Sequence, residues 1–347
     1  MTPLLIRTTK ALGLVDSPRT GKIHLRPTPT AGGLAVFFAF FATLWVIAGV
    51  ERSRDMELWV LLWLTLASVL IVALGVYDDL RGAAVLQKLA IQIPAGVLLY
   101  VAGFRVERLT NPFGPEILLG PFALPLTLLW VLIITNAMNL IDGLDGLAAG
   151  VGLIASLTLA AVGLMRGEGL VLILATALAG SLAGFIGYNF PPARIFLGDT
   201  GSLLLGLLLS TISLVENRKA TLAMTLVVPI VAMLIPILDT LWAVVRRVKN
   251  GQHPFRGDTG HLHHRLLMLG WTHRQAVFVI WASSAYFGLL AFVLSVLPKQ
   301  QVLWFLVLLG AGVYIALALL RHFDRKAKRQ NSASSAGIDA RTQNRAQ

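Results

Sequence analysis

The sequence predicts an all-α fold, a polytopic transmembrane helical bundle of about ten spans with its chemistry on cytoplasmic loops. Three observations carry that expectation. Hydrophobic residues make up 56% of the 347 and charged residues only 13%, more apolar surface than one water-soluble core of this size could hide. The apolar runs are about 17 to 22 residues long, the length a hydrocarbon layer roughly 30 Å thick requires. They lack the alternation of a strand, and a lipid-embedded backbone must satisfy its own hydrogen bonds, so helices are expected.

Residues 1–33 read as a leading cytoplasmic segment. Met1 to Leu14 hold Arg7 and Lys10 without an uninterrupted apolar stretch, so no cleavable signal is expected. The run Asp16-Ser17-Pro18-Arg19-Thr20-Gly21 reads as a loop. Spans are then expected near 34–50, 58–76, 85–103, 121–138, 146–165, 170–188, 202–215, 222–242, 276–296 and 302–320. Together they make a membrane-embedded domain over 34–320. Pro229 and Pro236 should kink the eighth. The segment 243–275, rich in Arg and His, is the longest connection and the best lid candidate. From 321 to 347 a basic stretch gives way to Ser, Asn, Gln and Ala, a composition expected to stay disordered, with its basic start at the lipid surface.

The net charge of +12 is spread between the apolar runs, not gathered in a basic domain, which argues against nucleic acid. With the N-terminus in the cytoplasm, most of the 29 Lys and Arg fall inside, as the positive-inside rule expects. The acids then sort by type: Glu51, Asp55, Glu57, Glu107, Glu116, Glu168 and Glu216 fall outside, and those inside are all aspartates. Short carboxylates crowded at a membrane edge point to a site there. The absence of cysteine excludes disulfides, thiolate metal sites and cysteine nucleophiles.

Four segments could carry that chemistry. Asp78 and Asp79 end the second span; adjacent carboxylates at a lipid boundary repel unless they share a cation or proton, and the bland alternative is a solvated loop start with Arg81 as partner. In Asn136-Ala137-Met138-Asn139-Leu140-Ile141-Asp142-Gly143-Leu144-Asp145-Gly146, Asn136, Asn139 and Asp142 would share one helical face, with Asp145 extending it. Capping or inter-helix bonding would account for only part of that stripe. Phe196-Leu197-Gly198-Asp199-Thr200-Gly201-Ser202 opens the seventh span and should leave free amides at a helix N-terminus, which attract phosphate. There Asp199 suits either a cap or an Mg²⁺ ligand. Pro254 to Arg265 joins His261, His263 and His264 to Arg256 and Arg265; a pyrophosphate cradle fits that mixture better than zinc, because the arginines disfavour a dication. Asp239, late in the eighth span, reads as a buried paired residue.

Taken in this order, these segments resemble the polyprenyl-phosphate N-acetylhexosamine-1-phosphate transferases, glycosyltransferase family 4. The likeness runs from about Gly13 to Ala276. The His-Leu-His-His form is similar to the branch that starts O-antigen, enterobacterial common antigen and teichoic acid synthesis, whereas the peptidoglycan muramoyl-pentapeptide branch usually has three consecutive histidines. The resemblance implies a bacterial inner-membrane enzyme, active on its cytoplasmic face, that moves a HexNAc-1-phosphate, GlcNAc-1-phosphate first among them, from a UDP-sugar to undecaprenyl phosphate and releases UMP. It implies Mg²⁺, with Mn²⁺ as a substitute, on Asp199, and the pair Asp78 and Asp79 acting on the lipid phosphate. Asn139, Asp142 and Asn189 match nucleotide and phosphate positions, and Asp145 matches one near uracil. His261, His263, His264 and Arg265 match a diphosphate-binding loop, and Lys88 a basic residue at the start of the third span. Homodimers occur in the family.

Two departures stand out. The family usually has a transmembrane helix before the Asp-x-Pro loop, where this chain has only Met1 to Val15; and Gly21-Lys22-Ile23-His24 stands where Arg-Lys-x-His is common. The rival from another class is an ion-coupled secondary transporter, whose carboxylates would lie near the midplane between repeated halves.

Overall fold

A computed structural model describes residues 1–11, 15–16, 27–50, 57–109, 117–215, 227–252 and 260–297, with isolated positions between 301 and 310. Contacts divide the chain into Met1–Val296, whose architecture follows, and Leu297–Gln347, where few positions are described. The expected span at 302–320, apart from those isolated positions, and the tail at 321–347 therefore lie outside the described residues, as do Gly21–His24 and positions 253–259 of the histidine segment.

The leading segment is more ordered than its composition suggests. Thr2–Ala11 forms helix α1 against α2 (Gly32–Val50) and α7 (Gly169–Asn189), and β1 (Val15–Asp16) pairs antiparallel with β2 (Thr28–Pro29). The next helices run up and down: α3 (Leu58–Arg81), α4 (Val85–Val101), α5 (Ala123–Ile141), α6 (Leu147–Arg166), α7, and α8 (Gly198–Val215). A small hairpin, β3 (Arg108–Leu109) with β4 (Ile117–Leu118), joins α4 to α5. Beyond residue 226 come α9 (Val227–Ala232), α10 (Leu234–Lys249), α11 (Leu262–Met268) and α12 (His273–Val296).

Among the described residues, seven helices are long and apolar enough to cross a membrane: α2, α3, α5 with its short lead-in, α6, α7, α8 and α12; α4 is apolar but shorter. These eight coincide with expected spans. The eighth expected span, at 222–242, is corrected: the helix breaks at Met233, between the two prolines, and α10 continues to Lys249 with Arg246, Arg247 and Lys249 in its last turn. The supposed lid thus begins as helix, and α11 is a second helical piece within it.

Helix α8 organises the bundle. Every residue from Thr200 to Val215 is buried, as befits a helix apolar all round, and it packs on α2, α3, α5, α6 and α7. The outer helices instead present Val46, Leu62, Leu157 and Leu289, each about half exposed or more, the pattern of a surface facing hydrocarbon. The ends of α3, α5 and α7 and the starts of α4, α6, α8 and α12 all lie at one end of this bundle.

Candidate functional site: the buried start of helix α8

At that end, α3 and α8 touch backbone to backbone. A Cβ on Gly75 would lie 2.6 Å from the Thr200 amide nitrogen and 2.9 Å from the Asp199 carbonyl carbon, so only glycine permits the approach. One turn later on α3, Asp79 reaches the first turn of α8. Its Oδ1 accepts the Asp199 amide at 2.8 Å, and its Oδ2 accepts the Thr200 amide at 3.1 Å and the Thr200 hydroxyl at 2.6 Å. Asp79 therefore caps α8 from another helix. The first-turn amides expected to be free for phosphate include two already taken, and a negative charge at that helix end is favourable in its own right.

Asp78 points elsewhere. Its Oδ1 accepts the Ala83 amide at 2.7 Å, and its Oδ2 pairs with Lys88 in the first turn of α4. Lys88, not Arg81, is the partner. The Lys88 ammonium also lies 3.8 Å from Asp199 Oδ2. On the other side Asn139 Nδ2 donates to Asp199 Oδ1 at 2.5 Å and to Ser202 Oγ at 2.9 Å. Helices α3, α4, α5 and α8 thus each give a side chain to one polar knot centred on Asp199.

The stripe expected along α5 divides by position. The helix stops at Ile141, and Asp142 sits past it with φ −76° and ψ 49°, because Gly143 and Gly146 follow. Asp142 and Asp145 therefore leave the shared face. Neither is a cap for α6, whose N-cap is Gly146 without a side-chain bond. Asn136 bonds across to Gln92 of α4 through its Nδ2 at 3.0 Å and to the Leu132 carbonyl at 2.8 Å. It joins helices, and only Asn139 reaches the knot. Burial, then the charges of Asp199, Asp79 and Asp145, pushes the Asp142 carboxyl well above the usual carboxylate range, which places it within electrostatic reach of the knot.

The next two residues serve the scaffold. Asn189, 2% exposed, accepts the Gly146 amide at 3.0 Å and donates to the Ile195 carbonyl at 3.0 Å. One lone pair of its oxygen and one of its two N–H groups are thus spent on backbone. Asp145 Oδ2 takes the Ala193 amide at 3.0 Å. These bonds tie the 142–146 turn to the 190–197 connection, whose Phe196 amide and carbonyl bond Pro29 and Gly32 in turn.

The histidine turn arrives from α10 and α11. His263, 1% exposed, lies so close to Gly143 that a Cβ there would come within 2.9 Å of the ring Cδ2. His261 stacks on it with ring centres 5.9 Å apart and 5° between planes, and His264 lies 4.2 Å away on centres. Burial, then the neighbouring His264, pushes His263 down to about 4. Among the described residues, neither of its ring nitrogens has a hydrogen-bond partner. Arg265 Nε donates to the Gly260 carbonyl at 3.1 Å. The expected set is thus brought to one end of the bundle.

Among the described residues no three His, Asp or Glu side chains form a ready metal cage. The Asp78 and Asp199 oxygens are the donor set that suits Mg²⁺, a hard ion that takes one or two carboxylates and completes its shell with water and phosphate oxygens. Sequence reading passed over Gln92 and Ser202. Gln92 announces itself as a lone amide in an apolar run one turn after Lys88; Ser202 stands three residues after Asp199, on its face of α8.

Comparison with known proteins bears on this arrangement. The sequence profile described as "Glycosyl transferase family 4" matches residues 61–217. A Bacillus subtilis protein named "Probable undecaprenyl-phosphate N-acetylglucosaminyl 1-phosphate transferase" is 38% identical over 305 residues, 88% of this chain and 82% of that protein. A Mycolicibacterium smegmatis "Decaprenyl-phosphate N-acetylglucosaminephosphotransferase" is 37% identical over 307 residues, covering 80% and 74%. An Escherichia coli K12 "Undecaprenyl-phosphate alpha-N-acetylglucosaminyl 1-phosphate transferase" is 30% identical over 285 residues, covering 80% and 76%.

Proposed function

The chain belongs to glycosyl transferase family 4, and from that membership we propose that it transfers GlcNAc-1-phosphate from a UDP-sugar to undecaprenyl phosphate, releasing UMP, at the cytoplasmic face of a bacterial inner membrane. The observation that carries this reading is the knot around Asp199, where Lys88 bridges Asp78 and Asp199 while Asn139 holds the other Asp199 oxygen. It lies at the end of a bundle of apolar helices, where a lipid phosphate and a water-soluble nucleotide can both arrive.

In the reaction an oxygen of the lipid phosphate forms a bond to the sugar-linked phosphorus of the UDP-sugar. The bond from that phosphorus to the bridging oxygen breaks, and UMP leaves with the electron pair. A phosphate oxygen is already anionic near neutral pH, so one-step transfer needs no strong base, and the chief demands are charge neutralisation and in-line positioning. Lys88 is the ammonium placed to meet the lipid phosphate. Asp199, with Asp78 beside it, would hold Mg²⁺, which when bound neutralises the oxygens of the transferred phosphate. Asn139 and Ser202 fix the Asp199 rotamer, and Asp79 keeps the α8 backbone under it in place. His261, His264 and Arg265 are the groups that would take the donor diphosphate.

The test is UMP release by the purified protein with undecaprenyl phosphate, Mg²⁺ and a panel of UDP-HexNAc donors. Lipid-dependent release is expected with UDP-GlcNAc, abolished by EDTA and restored by Mg²⁺ or Mn²⁺. No lipid-dependent release with any UDP-HexNAc would overturn the reading, and release surviving exhaustive chelation would overturn the metal assignment.

A further inference from the structure

Helix α10 grips the histidine turn at two points one above the other. Asp239 and Arg246 stand seven residues apart, two turns on one face of the helix. Arg246 Nη1 donates to the Gly260 carbonyl at 2.9 Å. Two turns earlier, Asp239 Oδ1 accepts the Leu262 amide at 2.8 Å, and its Oδ2 meets His261 Nδ1 at 2.9 Å. Three consecutive residues, 260 to 262, are thereby held by one helix. Both side chains of the Asp239–His261 pair are about 5% exposed, so water does not compete for the contact.

The chemistry of the pair is directional. A carboxylate only accepts, so the proton of this bond is on His261 Nδ1, and Nε2 is the nitrogen left to meet a ligand. The Leu262 amide is one of the orphan donors at the start of α11, whose N-cap His261 offers it no side-chain partner. Asp239 therefore does two separable things: it caps α11 and it sets the face His261 presents. His261 stacks on His263, and His263 abuts Gly143, so the orientation is passed on to the 142–146 turn.

We infer that Asp239 is a positioning residue for the transfer reaction: it fixes the His261 ring so that Nε2 faces the phosphate oxygens of the donor, an inference that rests on the function proposed above. The two roles of Asp239 separate in Asp239→Asn. The amide oxygen still accepts from Leu262 and preserves the cap. Its NH₂ now meets His261 Nδ1 as a donor and forces the ring proton to Nε2, the wrong tautomer.

The experiment measures steady-state UMP release and the thermal midpoint in detergent for Asp239→Asn, Asp239→Ala, His261→Ala and the double variant Asp239→Asn/His261→Ala. The expected result for Asp239→Asn is an unmoved midpoint with kcat/KM for the UDP-sugar at least ~10-fold lower. The double variant should be no slower than His261→Ala, because the acid acts through the ring. Asp239→Ala, which also loses the cap, should show the same kinetic loss and a lower midpoint. Wild-type kcat/KM in Asp239→Asn, beside a large loss in His261→Ala, overturns the inference alone and leaves Asp239 a cap. Full activity in His261→Ala overturns it together with the role given to His261 in the proposed function, whereas independent, multiplying losses in the double variant overturn only the link between the two residues.

Discussion

The knot at the start of α8 and the histidine turn on α10 are built to different rules. Around Asp199, four membrane helices converge, glycine lets two backbones touch, and each polar atom answers one from a different element. The histidine turn is held from one side by the side chains of one helix and rests on a single glycine. A site fixed by helix packing has its geometry before any ligand arrives. A turn hung from two side chains can be adjusted at little cost to the bundle. Damage to the first region should therefore strike fold and activity together, and damage to the second should strike activity first.

Asp199→Asn is the harshest case. It keeps the shape and the Asn139 contact but removes the charge, and turnover in the UMP assay should fall by at least ~10³-fold. Asp79→Ala comes next. It strips three hydrogen bonds from the first turn of α8, and should lower stability by about 3 kcal/mol, read as a large drop in thermal midpoint, with a parallel fall in turnover. If Asp79→Ala instead kept its midpoint and lost only activity, the two regions would not differ in the way described.

Gly143→Ala sharpens the contrast from the other side. The new methyl pushes the His263 ring off its seat, so kcat/KM should drop by about tenfold, while the midpoint moves by no more than about 1 kcal/mol equivalent. The most gradual effect is in pH, spread over more than two units. His263 is held near 4 when folded and returns to about 6.5 when unfolded. Between those values the unfolded chain binds a proton that the native chain refuses. Stability is therefore full above about pH 6.5 and declines toward pH 4, by up to about 3 kcal/mol. Midpoints measured across that window should fall, and His263→Gln should flatten the slope.

The two regions also differed in how far they could be read from sequence. The spans around the knot are long apolar runs, and Asp78, Lys88, Asn139 and Asp199 were visible as polar residues at their ends. Which partner each would take was not visible, because the Asp79 bonds to α8 join positions 120 residues apart. The helical spacing of Asn136, Asn139 and Asp142 misled in part, since the helix ends at Ile141 and Asp142 lies beyond it. Around the histidine turn less was legible. The two prolines marked a disturbance in the eighth span, yet the break at Met233 and the amphipathic run to Lys249 depend on how α10 packs on α5 and α12. Asp239 read correctly as a buried paired residue, but its partner lay 22 residues downstream and not on its own helix.

The account stands or falls on remote loops meeting at one end of the bundle, and the chain's lack of cysteine allows a direct measurement. Single cysteines replacing Arg81, Arg194 and Met268, all exposed near that end, and Glu57, exposed at the other end of α3, would be labelled in sealed, oriented vesicles with a membrane-impermeant maleimide. The predicted result is labelling of the first three from one side and of the fourth only from the opposite side. Reaction of Arg81→Cys, Arg194→Cys and Met268→Cys from different sides would contradict it.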